Sequence, residues 1–302
     1  MSLIKEVRNP MSILKEIHCT DWFAEFDAQT RAQAIEAIEN GKILLFPKLA
    51  FELPEKEKKF LSPVYACSRL KNISFNPRTQ KVTCADCTME DYENLKKMMK
   101  RYAQVAEKLV CDLFPSYGPA LLHGRTSYRP VHAARRRQSD NKNDTLLHVD
   151  AFPATPIHGK RILRVFTNIN PVGKDRLWRV GEPFPDVAKQ FVPKISPQFF
   201  GKAFFLKLFK ITKTLRSDYD HYMLQIHDRM KANKDYQQNA PQAEILFAAG
   251  STWVVQTDQV PHAAMSGQYM MEQTFYLPVS AMANPELSPL RIMEKITGRV
   301  LA

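Results

Sequence analysis

The chain has 302 residues, 44% of them hydrophobic, which is enough to bury a sizeable core and excludes the disordered and low-complexity classes. Lysine and arginine number 43 against 31 aspartate and glutamate, a net charge of +12, so an anionic partner is expected: nucleic acid, a membrane surface or an acidic small substrate. No apolar run reaches the roughly 18 residues of a spanning helix, and charges interrupt the N-terminal "MSLIKEVRNPMSILKEIHCTDW". Neither a membrane span nor a secretory signal is therefore expected, and the compartment is read as cytoplasm.

In chain order, residues 27–40, "DAQTRAQAIEAIEN", read as a helix with an acidic start and Gly41 as its stop, and "KILLFP" after it reads as a buried strand. Cys84 and Cys87 form "CADC", but no second pair completes a zinc site, and five cysteines without framework spacing fit a reducing compartment. Residues 89–114 carry helical periodicity over several turns. After Pro115 the texture changes to short alternating or apolar runs: "TSYRPVH", "TLLHVDAF", "RILRVFTNINP", "AEILFAAGSTWVVQ", "PHAAMSG" and "EQTFYLPV". The class is mixed α and β. "RRRQSDNKND", residues 135–144, reads as a solvated loop, although three arginines just ahead of His148 keep an anion-clamping role open.

One segment separates two faces at helical spacing. In "FFGKAFFLKLFKITKTLR", residues 199–216, Lys202, Lys207, Lys210, Lys213 and Arg216 gather opposite Phe200, Phe204, Phe205, Leu208, Phe209, Ile211 and Leu215, and no acidic residue occurs from Val187 to Ser217. Two readings stand: a helix lying in a lipid interface, or a helix packed on the protein's own core with a solvated basic face. The C-terminal "SPLRIMEKITGRVLA" is a second amphipathic stretch, read as a helix docked on the core.

Chemistry concentrates at "LLHVDAFP", residues 146–153. Residues two apart in an extended chain share a side, so His148 and Asp150 can point an imidazole and a carboxylate at one place. In a chain with eight histidines such a tripeptide alone carries little weight. His262 supplies what it lacks: in "GSTWVVQTDQVPHAAMSGQ" a turn leads to a histidine at the start of a strand, far downstream. Two histidines and one carboxylate make the facial set that leaves about three positions open on an octahedral iron(II).

"HVD" followed by the distant "VPHA" resembles the iron(II)- and 2-oxoglutarate-dependent dioxygenases. Within them, "SYRPVHAARRRQSDNKNDTLLHVDAFP", "GKRILRVFTNINP" and "GSTWVVQTDQVPHAAMSGQYMMEQTFYLP" resemble the Kdo hydroxylases, which oxidise the 3-deoxy-octulosonic acid sugar of Gram-negative lipopolysaccharide at carbon 3. The resemblance implies an α+β fold with a double-stranded β-helix (jelly roll, cupin-like) core, flanking helices and a long basic insertion. It implies one dioxygenase domain over 1–302: a mostly helical part at 1–117, the core at 118–280 with the insertion at about 174–240, and a C-terminal helix at 281–302. It also implies Fe(II) on His148, Asp150 and His262, with 2-oxoglutarate and O2 as cosubstrates.

The distal carboxylate of 2-oxoglutarate needs a buried cation, and residues 263–277 contain none, where many relatives have one. Arg161 and Arg164 lie on "KRILRVF"; Arg164 shares a face with Ile162, Phe166 and Asn168, where a charge is costly unless paired. The expectation falls on Arg164, then Arg129 of "SYRP", with Arg161 also on the strand and Tyr128, Thr126, Asn168 and Gln273 as candidate hydrogen-bond donors. An internal salt bridge is the alternative for either arginine. The implied acceptor is Kdo-lipid A or a related anionic glycolipid, met at the cytoplasmic face of the inner membrane through residues 199–216. No nucleic-acid partner is expected, as no aromatic–basic interleaving appears. An oxygenase of protein or nucleic acid, and a non-catalytic jelly-roll binding protein with a structural metal, are the competing readings.

Overall fold

The computed structural model describes residues 9–67, 72–83, 85–133, 143–199 and 201–302. Cys84 of the "CADC" pair, Phe200 and the arginines of "RRRQSDNKND" lie outside the described residues. The chain opens with α1 (Pro10–Ile13) and β1 (Leu14–Glu16). α2 (Ala28–Glu39) starts where Asp27 accepts the Thr30 N–H at 2.7 Å and ends at Asn40, after which Gly41 turns the chain at φ +76°. The apolar run that follows is β2 (Ile43–Phe46), wholly buried. A turn of helix α3 (Glu55–Lys58) and the hairpin β3 (Ile73–Asn76) and β4 (Lys81–Thr83) precede α4 (Met89–Leu113). Thr88 caps α4 by accepting the Asp91 N–H, and Glu90 and Asp91 sit in its first turn, where the helix dipole favours acids.

Next come β5 (Leu122–Arg129), β6 (Arg161–Asn168) and β7 (Arg176–Val180). Four helices then intervene, α5 (Phe184–Phe191), α6 (Lys202–Leu208), α7 (Asp218–Ala232) and α8 (Lys234–Asn239), before β8 (Ala243–Phe247). β9 (Thr252–Gln256), β10 (His262–Ala264), β11 (Met270–Leu277) and α9 (Pro289–Thr297) complete the described elements. The strands form an eight-stranded sheet, β1-β2-β9-β6-β11-β5-β3-β4, parallel at β1/β2 and antiparallel elsewhere, and a three-stranded antiparallel sheet, β10-β7-β8. Four of the large sheet's strands come from the first 117 residues, so this part, expected to be mostly helical, also extends the sheet.

Alternation along each strand decides which side chains face which layer. Leu163 and Val165 of β6, with Met271 and Phe275 of β11, join the core that includes the buried face of α4; Tyr102 of that helix donates its hydroxyl to the Val165 carbonyl at 3.2 Å. The opposite side chains meet the small sheet. Phe166, Trp178, Phe247 and Trp253 close this second core, with Trp253 stacked at 4.0 Å on Phe247 and at 5.3 Å on Phe166, and edge-on to Trp178 at 5.6 Å. Each such ring, buried fully, contributes about 1.5–3 kcal/mol, so the two sheets are locked together close to where β10 and β7 end.

Two stretches depart from their expected form. "TLLHVDAF" makes no continuous strand: His148 alone bridges to His262, and Asp150 N–H reaches the Thr257 carbonyl at 2.8 Å. A turn held by Asn143 on one side and Pro153 on the other leave it room for little more. The amphipathic segment 199–216 is helical only over Lys202–Leu208, because Lys210 takes a left-handed φ of +56° and reverses the chain. No described helix is long and apolar enough to cross a membrane.

Candidate metal centre

His148 and His262 form a mutual backbone pair: His262 N–H donates to the His148 carbonyl at 2.8 Å, and His148 N–H to the His262 carbonyl at 3.1 Å. Both imidazoles are oriented by their own backbone. Nδ1 of His148 lies 2.7 Å from the Leu146 carbonyl and Nδ1 of His262 lies 2.8 Å from the Val260 carbonyl. A carbonyl can only accept, so each Nδ1 carries the proton and each Nε2 is left as a lone-pair donor. The Trp178 ring stacks on His262 at 5.0 Å and fixes its plane. With a ligand atom of Asp150, the two imidazoles offer three donors within 4.8 Å of one another. Two neutral nitrogens and one carboxylate suit a divalent first-row metal with open positions, iron among them.

The carboxylate is kept charged by its surroundings. Burial, the largest single influence, opposes ionisation of Asp150, but the Arg164 guanidinium, followed by His262, His148 and a hydrogen bond with Thr257, together outweigh it and hold the carboxyl well below the usual carboxylate range. Arg164 Nη2 lies 3.1 Å from Asp150 Oδ2, and its Nη1 lies 3.1 Å from Oε1 of Glu272. Oε2 of Glu272 accepts from Arg129 at 2.7 Å, and Arg129 also reaches Asp144 at 3.5 Å. A largely buried chain of alternating charge, Asp144–Arg129–Glu272–Arg164–Asp150, thus runs through β5, β11 and β6 and ends on the Oδ2 of Asp150, leaving Oδ1 on the side of His148 Nε2.

The three donors open on a cavity with about 360 Å³ of free space, mouth included, that is also lined by Arg129, Asp144, Arg164, Phe166 and Arg176. Arg176, missed in the sequence, begins β7 on the inward face it shares with Trp178 and Val180. Alternation in "RLWRV" was the available signal. Gly267, at φ +120°, lies over it so closely that a Cβ would come within 2.7 Å of Arg176 Cγ. Glu272 was legible in the same way, opposite Met271 and Gln273 in "MMEQTF".

The other expected ligand-holding residues point elsewhere. Arg161 is fully buried against Asp258 at 2.7 Å and Gln259 at 2.6 Å. Three residues before Arg164 on β6, it points to the opposite face, and the Arg161–Asp258 pair braces the turn whose Thr257 and Val260 carbonyls orient Asp150 and His262. Tyr128 donates to the Phe60 carbonyl at 2.7 Å on the outer face of β5. Thr126 donates to Gln273 Oε1 at 2.6 Å on that same face, and Asn168 donates to the Lys174 and Phe247 carbonyls in a loop. None of these five lines the cavity.

Burial, followed by the neighbouring His262 and Lys231, holds the His148 imidazole well below 6.5, and burial also lowers His262. Folded-state values below the unfolded one mean that the unfolded chain takes up protons first. Stability of the metal-free protein is therefore full above pH 6.5 and falls as pH drops below it. Metal affinity follows the same sign, staying flat from pH 8 to 6.5 and weakening only below, as zinc or cobalt titrations at stepped pH will read; a steep loss already at pH 7 contradicts the two neutral imidazoles.

A family model described as 3-deoxy-D-manno-oct-2-ulosonic acid (Kdo) hydroxylase matches residues 21–300. Among solved structures, the chain matches the Kdo hydroxylase KdoO, a non-heme Fe(II) α-ketoglutarate-dependent dioxygenase, in complex with cobalt(II), at TM-score 0.93 and 47% identity, over 96% of this chain and 97% of that one. The same enzyme with α-ketoglutarate and Fe(III) matches at TM-score 0.92 and 47% identity, with 96% and 97% covered, and its complex with succinate and Fe(III) gives the same four values. No curated protein matches the chain by sequence. A family model that spans nearly every residue, joined to 47% identity across the length of a solved member, leaves one conclusion: this chain belongs to the Kdo hydroxylase family.

Proposed function

We propose that the chain is an Fe(II)- and 2-oxoglutarate-dependent dioxygenase that hydroxylates carbon 3 of Kdo on Kdo-lipid A, with 2-oxoglutarate and O2 converted to succinate and carbon dioxide. The observation that carries the reading is the convergence of His148, Asp150 and His262 on the arginine-lined cavity. These three residues would hold the iron, which when bound activates O2 at the expense of 2-oxoglutarate. The chain's own part is binding, orientation and exclusion of water. Trp178 and the main-chain pair keep the imidazoles aimed. Phe166 and Met270 supply apolar wall.

Arg176 is the residue we assign to the distal carboxylate of 2-oxoglutarate, with Arg129 beside it. Arg164, the first candidate from sequence, gives both terminal nitrogens to Asp150 and Glu272 instead. Charge balance supports this: Arg129, Arg164 and Arg176 line the cavity with Asp144 and Asp150, and Glu272 is paired with Arg129 and Arg164 behind them. Adding a divalent cation and a dianionic cosubstrate leaves that balance unchanged, so neither has to be desolvated against a net like charge.

The packing of the two sheets around one aromatic core supports a double-stranded β-helix, with α5 to α8 as its insertion and the whole chain as one catalytic unit. The acceptor is an anionic glycolipid, and the enzyme works in the cytoplasm, peripheral to the inner membrane of a Gram-negative cell. The test is incubation of the purified protein with Fe(II), 2-oxoglutarate, air and Kdo-lipid A. A gain of one oxygen on the lipid with matching succinate is expected, and peptide or oligonucleotide should give neither. Succinate stimulated by peptide or oligonucleotide instead would overturn the substrate; absence of any visible charge-transfer band on anaerobic addition of Fe(II) and 2-oxoglutarate would overturn the enzyme.

A further inference from the structure

The largest feature not used by the metal centre is the protrusion at residues 199–216. Among the described residues, fifteen large hydrophobic side chains are exposed, and seven of them fall between Phe199 and Leu215. Phe199 is 81% exposed and Phe209 69%, so these rings are not a helix face packed on the protein's own core. Concentrated apolar exposure of this kind marks an interaction surface.

Its shape is a closed loop on a pinned base. Gln198 Nε2 donates to the Arg216 carbonyl at 3.3 Å and joins the two ends. α6 runs up one limb, Lys210 turns the chain at φ +56°, and Ile211 N–H returns to the Leu206 carbonyl at 2.9 Å. The returning limb is then fastened to the stretch just beyond Asp150. Lys213 N–H donates to the Ala154 carbonyl at 3.1 Å, Arg216 Nη2 to the Pro153 carbonyl at 2.7 Å, and Thr214 Oγ1 lies 3.0 Å from His158 Nε2. Whatever the tip binds is therefore held at a fixed distance from the metal centre.

Charge selects the occupant. Lys202, Lys207, Lys210 and Lys213 are all exposed among the rings, and no acidic residue stands between Val187 and Ser217. A second copy of the chain would bring lysines against lysines, which costs energy in a symmetric contact. An anionic lipid surface satisfies both halves: phenylalanines enter the acyl boundary while lysines meet phosphates or reach past them.

We infer that residues 199–216 form a docking wedge that seats in anionic lipid and sets the mouth of the metal centre against the bilayer. The inference rests on the proposed glycolipid acceptor for its consequence, but the binding itself requires neither acceptor nor iron. Full-length protein is sedimented with vesicles of phosphatidylcholine alone and with phosphatidylglycerol added, at low and high salt, beside the variants Phe204→Glu/Phe209→Glu and Lys207→Glu/Lys210→Glu. Partition onto the anionic vesicles is expected to fall about tenfold or more in both variants, with thermal unfolding and the iron–2-oxoglutarate charge-transfer band unchanged. Hydroxylation of vesicle-borne acceptor should fall in step, while hydroxylation of detergent-dispersed acceptor stays at the wild-type rate. Equal partition of wild type and variants overturns the inference, as does wild-type protein that ignores both vesicle types. So does a wild-type dimer in sedimentation velocity that the Phe204→Glu/Phe209→Glu variant dissolves. Should the acceptor be something else, vesicle partition persists and only the turnover arm fails, so the two ideas fail separately.

Discussion

Arg176→Met is expected to weaken 2-oxoglutarate binding by about a hundredfold or more, the usual consequence of removing one partner from a buried, hydrogen-bonded charge pair. Fe(II) binding should suffer less than in an Arg164 variant, because Arg164 is the arginine paired with Asp150, whereas Arg176 reaches the cavity from β7. The measurement is an anaerobic titration of the visible charge-transfer band with 2-oxoglutarate at saturating iron. Gly267→Ala tests the same site from the other side. An alanine methyl at φ +120° would press on Arg176 Cγ from 2.7 Å, so either the loop or the arginine must shift. A weaker loss of affinity in the same direction is expected. If Arg176→Met binds 2-oxoglutarate normally while Arg129→Met does not, the assignment moves to β5.

What the sequence made legible follows the range of the interactions involved. Helices α2 and α4 are set by local signals, an acidic start and a Gly41 stop for the first and helical periodicity for the second, and they appear within a residue of where those signals put them. The three metal-facing side chains were readable because two lie in one tripeptide and the third follows a turn. Partner choice for arginines was not readable. Arg161, Arg164 and Arg176 all sit on strands amid apolar neighbours, and only the register of β6 against β11 and of β7 against β10 tells which one meets Asp258, which meets Glu272 and which faces the cavity. Cross-strand register is a long-range property, and no local pattern encodes it. The segment 199–216 failed in another way. A helical wheel assumes uninterrupted helix, yet the left-handed Lys210 folds the chain back, and lysines and rings are exposed together on a loop instead.

Arg164→Met carries the largest expected cost to the fold. It leaves Asp150 and Glu272 as buried carboxylates deprived of one cation, and breaking such a buried pair costs about 3–5 kcal/mol, readable by urea unfolding of the metal-free protein. The pH dependence should weaken with it. In the wild type Arg164 keeps the Asp150 carboxyl well below its ordinary value, so its contribution is present above pH 3.8 and is lost as pH falls towards the lower folded value. Without Arg164 the strongest opponent of burial is gone and the carboxyl moves back up towards 3.8, so the stability that the wild type loses as pH falls below 3.8 shrinks in the variant. Iron affinity should drop by about 10- to 100-fold, as when an outer partner of a metal ligand is removed. Glu272→Gln separates the two effects. It leaves the Arg164–Asp150 contact in place and removes the anion between Arg129 and Arg164. Stability should fall by a similar amount while iron affinity changes little, because the Asp150 carboxylate is still paired with its own arginine. Iron affinity falling equally in both variants would mean that Glu272, through Arg164, sets the orientation of Asp150, and that the chain of charges acts as one unit.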